Sequence, residues 1–208
     1  MTALLVPVST VNRRFLVWLV VFLLVASGTF VIVATVAMPE PYSWRTHSIS
    51  ESAARGLLNA WIARFSFLCF GGGVLVLSIL KREVWARSTY WMHLAFAVAM
   101  LSTAAFSHKP WISGVPVDEF EDFLHSVTAS GMGFAFCFGL VAKFLQRGCN
   151  ELAARTLDVI AVVVATTMSP LAVLFPNNGG LIQRVMFTVA YVWYASEALS
   201  ASGTSAEP

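Results

Sequence analysis

The sequence predicts an all-α, polytopic membrane protein: six transmembrane helices in one bundle, with the N- and C-termini cytoplasmic. Three observations predict it. Hydrophobic residues fill 58% of the 208 positions and charged residues only 12%, about half the charged share of a soluble domain. Mean hydropathy is +0.75. The charges gather at the ends of long apolar runs, whereas a soluble amphipathic helix would interleave them with apolar residues.

A helix crosses a hydrocarbon core about 30 Å thick with roughly 20 residues at about 1.5 Å each. Six segments satisfy this: 15–38, 57–80, 88–107, 123–145, 156–175 and 181–200. Strands are excluded because an open sheet edge leaves backbone groups unsatisfied in lipid, and the alternation of a barrel strand is missing. The chain then divides into a cytoplasmic N-terminal segment (1–14), a six-helix transmembrane domain (15–200) and a cytoplasmic tail (201–208). Arg13-Arg14-Phe15-Leu16 looks like the start of a twin-arginine export signal. The run behind it exceeds the ~7–15 residues of a signal core, so it reads as a retained anchor.

Basic residues set the orientation. With the N-terminus inside, the inner segments carry eight (Arg13, Arg14, Lys81, Arg82, Arg87, Lys143, Arg147, Arg155) and the outer segments four (Arg45, Arg55, Lys109, Arg184). The placement expected is a multi-pass protein of the plasma (inner) membrane. A net charge of +2 without a basic tract gives nothing for nucleic acid to bind. Cys69, Cys137 and Cys149 form no disulfide framework. There is no phosphate-binding loop, dinucleotide fingerprint, Cys-x-x-Cys or His-x-x-x-His.

The inner loops, "KREVWAR" and "QRGCNELAAR", are short and basic, and the outer connections carry more varied chemistry. In "RTHSISES", Ser48 and Glu51 have the spacing of a capping box, which leaves His47 and Ser50 to be explained. In "VDEFEDFLH", acidic residues suit a helix N-terminus. Asp118, Asp122 and His125 also follow i, i+4, i+7, so they share one face, directed into the bundle. A carboxylate one turn before a histidine can orient the imidazole or share a metal with it. In "FPNNGGLIQRVMF" a tight turn leads to Gln183 and Arg184, the latter able to snorkel to headgroups. Arg64 lies about two turns inside the second span, where an unpaired cation is expensive. Its expected partners are Glu51, Asp118 or Asp122. His93, Asp158 and Glu197 are expected to reach water or the basic loops near the inner ends. Gly71-Gly72-Gly73 is expected to let helices pack closely.

Together, His47-Ser48-Ile49-Ser50-Glu51, Asp122 with His125, and Gly180-Leu181-Ile182-Gln183-Arg184 resemble one bacterial and archaeal membrane family, catalogued as domain of unknown function nine-nine-eight. The resemblance covers about residues 15 to 200, with Ser52 standing where a larger apolar residue is expected. It implies a six-helix bundle and a shared outer polar cluster, and no established reaction. A weaker similarity, by analogy only, runs to the zinc-dependent membrane hydrolases that include alkaline ceramidases and adiponectin receptors. The terminal His-x-x-x-His of those proteins is missing here, and there is one helix fewer.

Three functions compete. In the first, His47, Ser50, Arg64, Asp122, His125, Gln183 and Arg184 form an outward pocket that binds a lipid headgroup, a small ligand or another membrane protein; the two arginines suit phosphate or carboxylate. In the second, a membrane-embedded hydrolase, His47, Asp122 and His125 hold zinc, and Ser48 or Ser50 orients the substrate beside Asp122 and His125. The third, a transporter, would want a polar path through both leaflets.

Overall fold

The computed structural model describes residues 10–148 and 151–201. Cys149, most of the N-terminal segment and the tail beyond Ala201 lie outside the described residues. The elements are α1 (Thr10–Ala37), a four-residue α2 (Ile49–Ser52), α3 (Ala60–Leu80), α4 (Arg87–Ala105), α5 (Glu119–Gln146), α6 (Leu152–Leu174) and α7 (Gly179–Ser200), with a short 3-10 turn at Pro176–Asn178 before α7. The six long helices match the six expected segments to within a few residues. Four of them, α1, α3, α5 and α6, are long and apolar enough to cross a membrane. The more polar α4 and α7 fall outside that group.

Each long helix packs on its sequence neighbours, α1 on α3, α3 on α4, and so on to α6 on α7, and α7 returns to α1. The bundle is therefore a closed ring in chain order. Short connections impose this, because consecutive antiparallel helices have little reach beyond the next position.

Residue choice on α1 shows how each helix is oriented. Val17, Val20, Leu24, Ser27, Val31 and Ala34 are buried, at alternating steps of three and four. That spacing keeps one stripe facing the ring. The opposite face bears Phe15, Trp18, Phe22, Val25, Ile32 and Val36, all widely exposed. A soluble helix would put charge there; this one puts hydrocarbon, which suits a lipid solvent.

Without a hydrophobic drive between helices in lipid, close approach and interhelical hydrogen bonds must hold the ring. The glycine triplet provides the first. A Cβ on Gly71 would lie 2.8 Å from Leu101 Cγ and 3.1 Å from the Ala97 carbonyl on α4, and one on Gly73 would lie 3.3 Å from Leu23 Cβ on α1. Helix α3 runs unbroken through the triplet, with a neighbour seated on each side. Gly71→Val is expected to lower stability by about 1–3 kcal/mol through overpacking. Gly72→Val, which meets nothing within 4 Å, serves as the near-neutral control, both read from thermal unfolding in detergent. Interhelical hydrogen bonds come from Ser27 on α1, whose hydroxyl donates to the Ser66 carbonyl of α3 at 2.8 Å and lies 2.8 Å from the Tyr191 hydroxyl of α7.

Candidate functional site

At the end of the bundle expected to face outward, called the outer end below, the first connection is tied to α7. Ser48 caps α2 as its spacing predicts: the Glu51 amide donates to Ser48 Oγ at 3.1 Å, and the Ser48 amide to the Glu51 carboxylate at 2.5 Å. Gln183 completes the cap from α7, its Oε1 accepting from the Ile49 amide at 2.6 Å. Arg184 donates to the carbonyls of Trp44 (2.8 Å), His47 (2.9 Å) and Gly180 (3.0 Å), and to the hydroxyls of Thr35 (3.0 Å) and Tyr42 (2.8 Å). The approach requires Gly180: a Cβ there would stand 2.6 Å from the Trp44 carbonyl oxygen and closer still to that of His47. His47 accepts at Nδ1 from the Ser43 amide at 3.0 Å, and its ring stacks on Tyr42 and leans on Trp111. Ser50 is buried in α2. Ser52 is buried as well, and its hydroxyl donates to the Ile49 carbonyl at 2.7 Å, which lets a small polar residue stand where a larger apolar one was expected.

The remaining outer residues form a second knot around α5. Phe120, Phe123 and Val127 face outward and His125 inward, as the spacing predicts. The expected Asp122–His125 pairing is replaced. His125 Nδ1 lies 2.9 Å from the Phe106 carbonyl, which can only accept, so Nδ1 carries the proton. Asp122 accepts instead from the Lys109 amide at 2.8 Å and faces His108 at 3.9 Å. Asp118 caps α5 and pairs with Arg55 at 3.1 Å. Arg64 takes none of its expected carboxylates: Nε donates to the Ala53 carbonyl at 3.1 Å and Nη2 to Ser107 Oγ. A helix-end carbonyl and a hydroxyl meet its charge because Glu51 is held in the α2 cap and Asp118 by Arg55.

The three outer connections therefore meet, but most of their polar groups bond to backbone. Among the described residues no three His, Cys, Asp or Glu side chains come together to hold a metal ion; His47 is packed beside Tyr42 and Trp111, while Asp122 and His125 belong to the second knot. The only one of the seven expected ligand-binding side chains to line a described cavity is Arg184. That cleft, about 360 Å³, runs between α1 and α7 beneath Trp44, with apolar walls down to Gly28, Phe187 and Tyr191.

The opposite end, expected to be plain, holds a dense buried charge network. Arg147 Nε donates to Asp158 at 2.6 Å, Nη1 to Glu151 at 3.0 Å and Nη2 to Glu197. Trp193 donates to Asp158 at 2.7 Å and Trp85 to Glu197 at 2.9 Å. His93, Asp158 and Glu197 are 0%, 0% and 2% exposed: none reaches water, and of the two expected alternatives Asp158 and Glu197 take the basic loop, through Arg147. His93 lies against Trp193 and Gly139, 2.9 Å from the Tyr194 hydroxyl. Burial alone would lower the pKa of Arg147, but its hydrogen bond to Asp158 and the charge of Glu197 outweigh that and raise it. For Lys81, burial wins and the pKa falls, against the pull of Glu197. Beside this network lies a polar cavity of about 570 Å³. Asp158 and Glu197, ionisable residues inside apolar runs, were the signal: the reasoning that singled out Arg64 applies equally to them.

Six helices in a ring, apolar outside and tied by polar networks at both ends, define a class: an α-helical protein suited to a membrane. The chain belongs to the family described as "Protein of unknown function (DUF998)", whose model matches residues 20–200. No curated protein and no solved structure matches it.

Proposed function

We propose that the protein crosses the plasma (inner) membrane six times with both termini in the cytoplasm, and that it binds an anionic phospholipid at its outer end. Six crossings are supported by where α4 and α7 keep their polar groups. His93, Thr103 and Glu197 are buried in the bundle, while Trp91, Val98, Val185 and Val192 face outward. The cytoplasmic termini rest on the eight-to-four division of basic residues.

The observation that carries the binding reading is Arg184 at the mouth of the apolar cleft. All five of its hydrogen-bond partners are neutral carbonyls or hydroxyls, so its positive charge is not cancelled by a carboxylate. A phosphodiester would sit beside that charge, with an acyl chain along Ile32, Phe187 and Tyr191. Gln183 and His47 hold the first connection in place, while Ser50, Arg64, Asp122 and His125 do not line the cleft.

Native mass spectrometry of protein exchanged into phosphatidylglycerol or phosphatidylcholine tests this. The unmodified chain should retain phosphatidylglycerol preferentially. Gly28→Leu, whose Cβ has its nearest neighbour at 3.8 Å, should fill the cleft without disturbing the ring and reduce retention severalfold. Equal retention by the two proteins would remove the cleft as the site.

A further inference from the structure

We infer that the cavity at the end of the bundle where α1 begins and α7 ends is a second binding site, taking a phosphate group between the ammonium groups of Lys81 and Lys143. It is independent of the outer cleft and lies at the other ends of the same helices.

Three cations, Lys81, Lys143 and Arg147, and two carboxylates, Glu151 and Glu197, line this cavity. Their commitments differ. Arg147 is met by Asp158, Glu197 and Glu151. Glu197 gives one oxygen to Arg147 and the other to Trp85. The lysines are underused. Lys143 has Glu197 only at 3.9 Å, beyond hydrogen-bond range, and Lys81 donates once, to the Ser200 hydroxyl at 2.8 Å. Two ammonium groups carry three N–H donors each. Among the described residues the protein offers them a single hydrogen-bonding acceptor, and a neutral one. Both side chains are largely buried and line the cavity.

What would fill it is a ligand rich in acceptors and negative charge. The charge of Arg13 reaches Lys81, and Arg155 donates to the Arg147 carbonyl at 2.9 Å, so cations outnumber carboxylates around the cavity. Ala153 and Ala154, in the first turn of the 23-residue α6, form part of the wall. Among the described residues no side chain caps that helix start, and the positive end of its dipole favours an anion beside it. A tetrahedral oxyanion matches two ammonium groups and a helix N-terminus better than a planar carboxylate does. Basic pockets between helices at a membrane surface have the chemistry to take phospholipid headgroups, and a soluble phosphate compound offers the same group.

Two arms separate these sources. The full chain in maltoside detergent is titrated with inorganic phosphate by calorimetry. In parallel, nanodiscs of phosphatidylcholine with or without phosphatidylglycerol are analysed for retained lipid by native mass spectrometry. Phosphate binding in detergent assigns a soluble ligand; retention of phosphatidylglycerol alone assigns a headgroup. In either arm Lys81→Gln and Lys143→Gln should each weaken binding about tenfold, the size of one charge-assisted hydrogen bond. Lys143→Arg should retain it. Glu151→Gln should move binding the other way, tightening it severalfold, which a purely structural role for these side chains would not produce. Gly28→Leu, which fills the outer cleft, serves as the background for the lipid arm, so that the phosphatidylglycerol still retained reports on this cavity alone. Failure of both probes to bind, or binding that is the same in Lys81→Gln, Lys143→Gln and the unmodified chain, overturns the site.

Discussion

Asp158→Leu is expected to cost about 3–5 kcal/mol of stability, the range for removing one partner of a buried ion pair. Asp158 is fully buried and accepts from both Arg147 and Trp193. Without it, an Arg147 side chain that is itself only 5% exposed keeps Glu197 and the half-exposed Glu151, and the Trp193 indole loses its acceptor. Thermal unfolding in detergent, followed by near-ultraviolet circular dichroism, measures the loss. Adding Arg147→Met should recover little of it, because the buried Glu197 then loses its guanidinium and keeps only Trp85 and the more distant Lys143. A loss under about 1 kcal/mol, the value of an exposed pair, would mean that water reaches the network and that it does not lock α5, α6 and α7 together.

Arg184→Ala is expected to be nearly as damaging, by about 3–4 kcal/mol, because hydrogen bonds from a charged group contribute about 1.5–3 kcal/mol each and do not add fully when shared. Five acceptors lose their donor at once, and with them goes the tie between α7, the end of α1 and the first connection. Arg184→Lys should rescue less than half of this, because a point-like ammonium cannot reproduce the planar fork. Limited proteolysis offers a second readout: cleavage near Arg45 should become much faster in the alanine variant. Unchanged resistance there would show that the connection is held by Tyr42, His47 and Trp111 without the guanidinium.

Much of the fold was legible because lipid imposes a simple rule. Long apolar runs become helices, and their ends came within a few residues of the expected positions. The Ser48–Glu51 cap was legible from spacing alone, as was the inward direction of His125; Asp118, expected on the same inward face, is instead the exposed N-cap of α5, paired with Arg55. Pairing within the outer cluster was not. Spacing places a side chain on a face, but backbone acceptors are invisible in a sequence, and Arg64, Arg184 and His125 all chose carbonyls. The buried network was missed for a different reason. Asp158 and Glu197 lie near helix ends, where depth in the bundle depends on which neighbour covers the face. Only the ring places Trp85, Trp193 and Arg147 over them.

Because α1 meets α7, the earliest helix of the ring to be made rests on the latest. A ribosome releasing this chain from its N-terminus delivers α1 to the translocon well before the partner that closes the circle exists. Ser27 waits for Tyr191, and the backbone around Trp44 and His47 waits for Arg184, until α7 has been made. Assembly is therefore completed after insertion, and a nascent chain stalled before residue 179 should be a preferred target for membrane quality-control proteases.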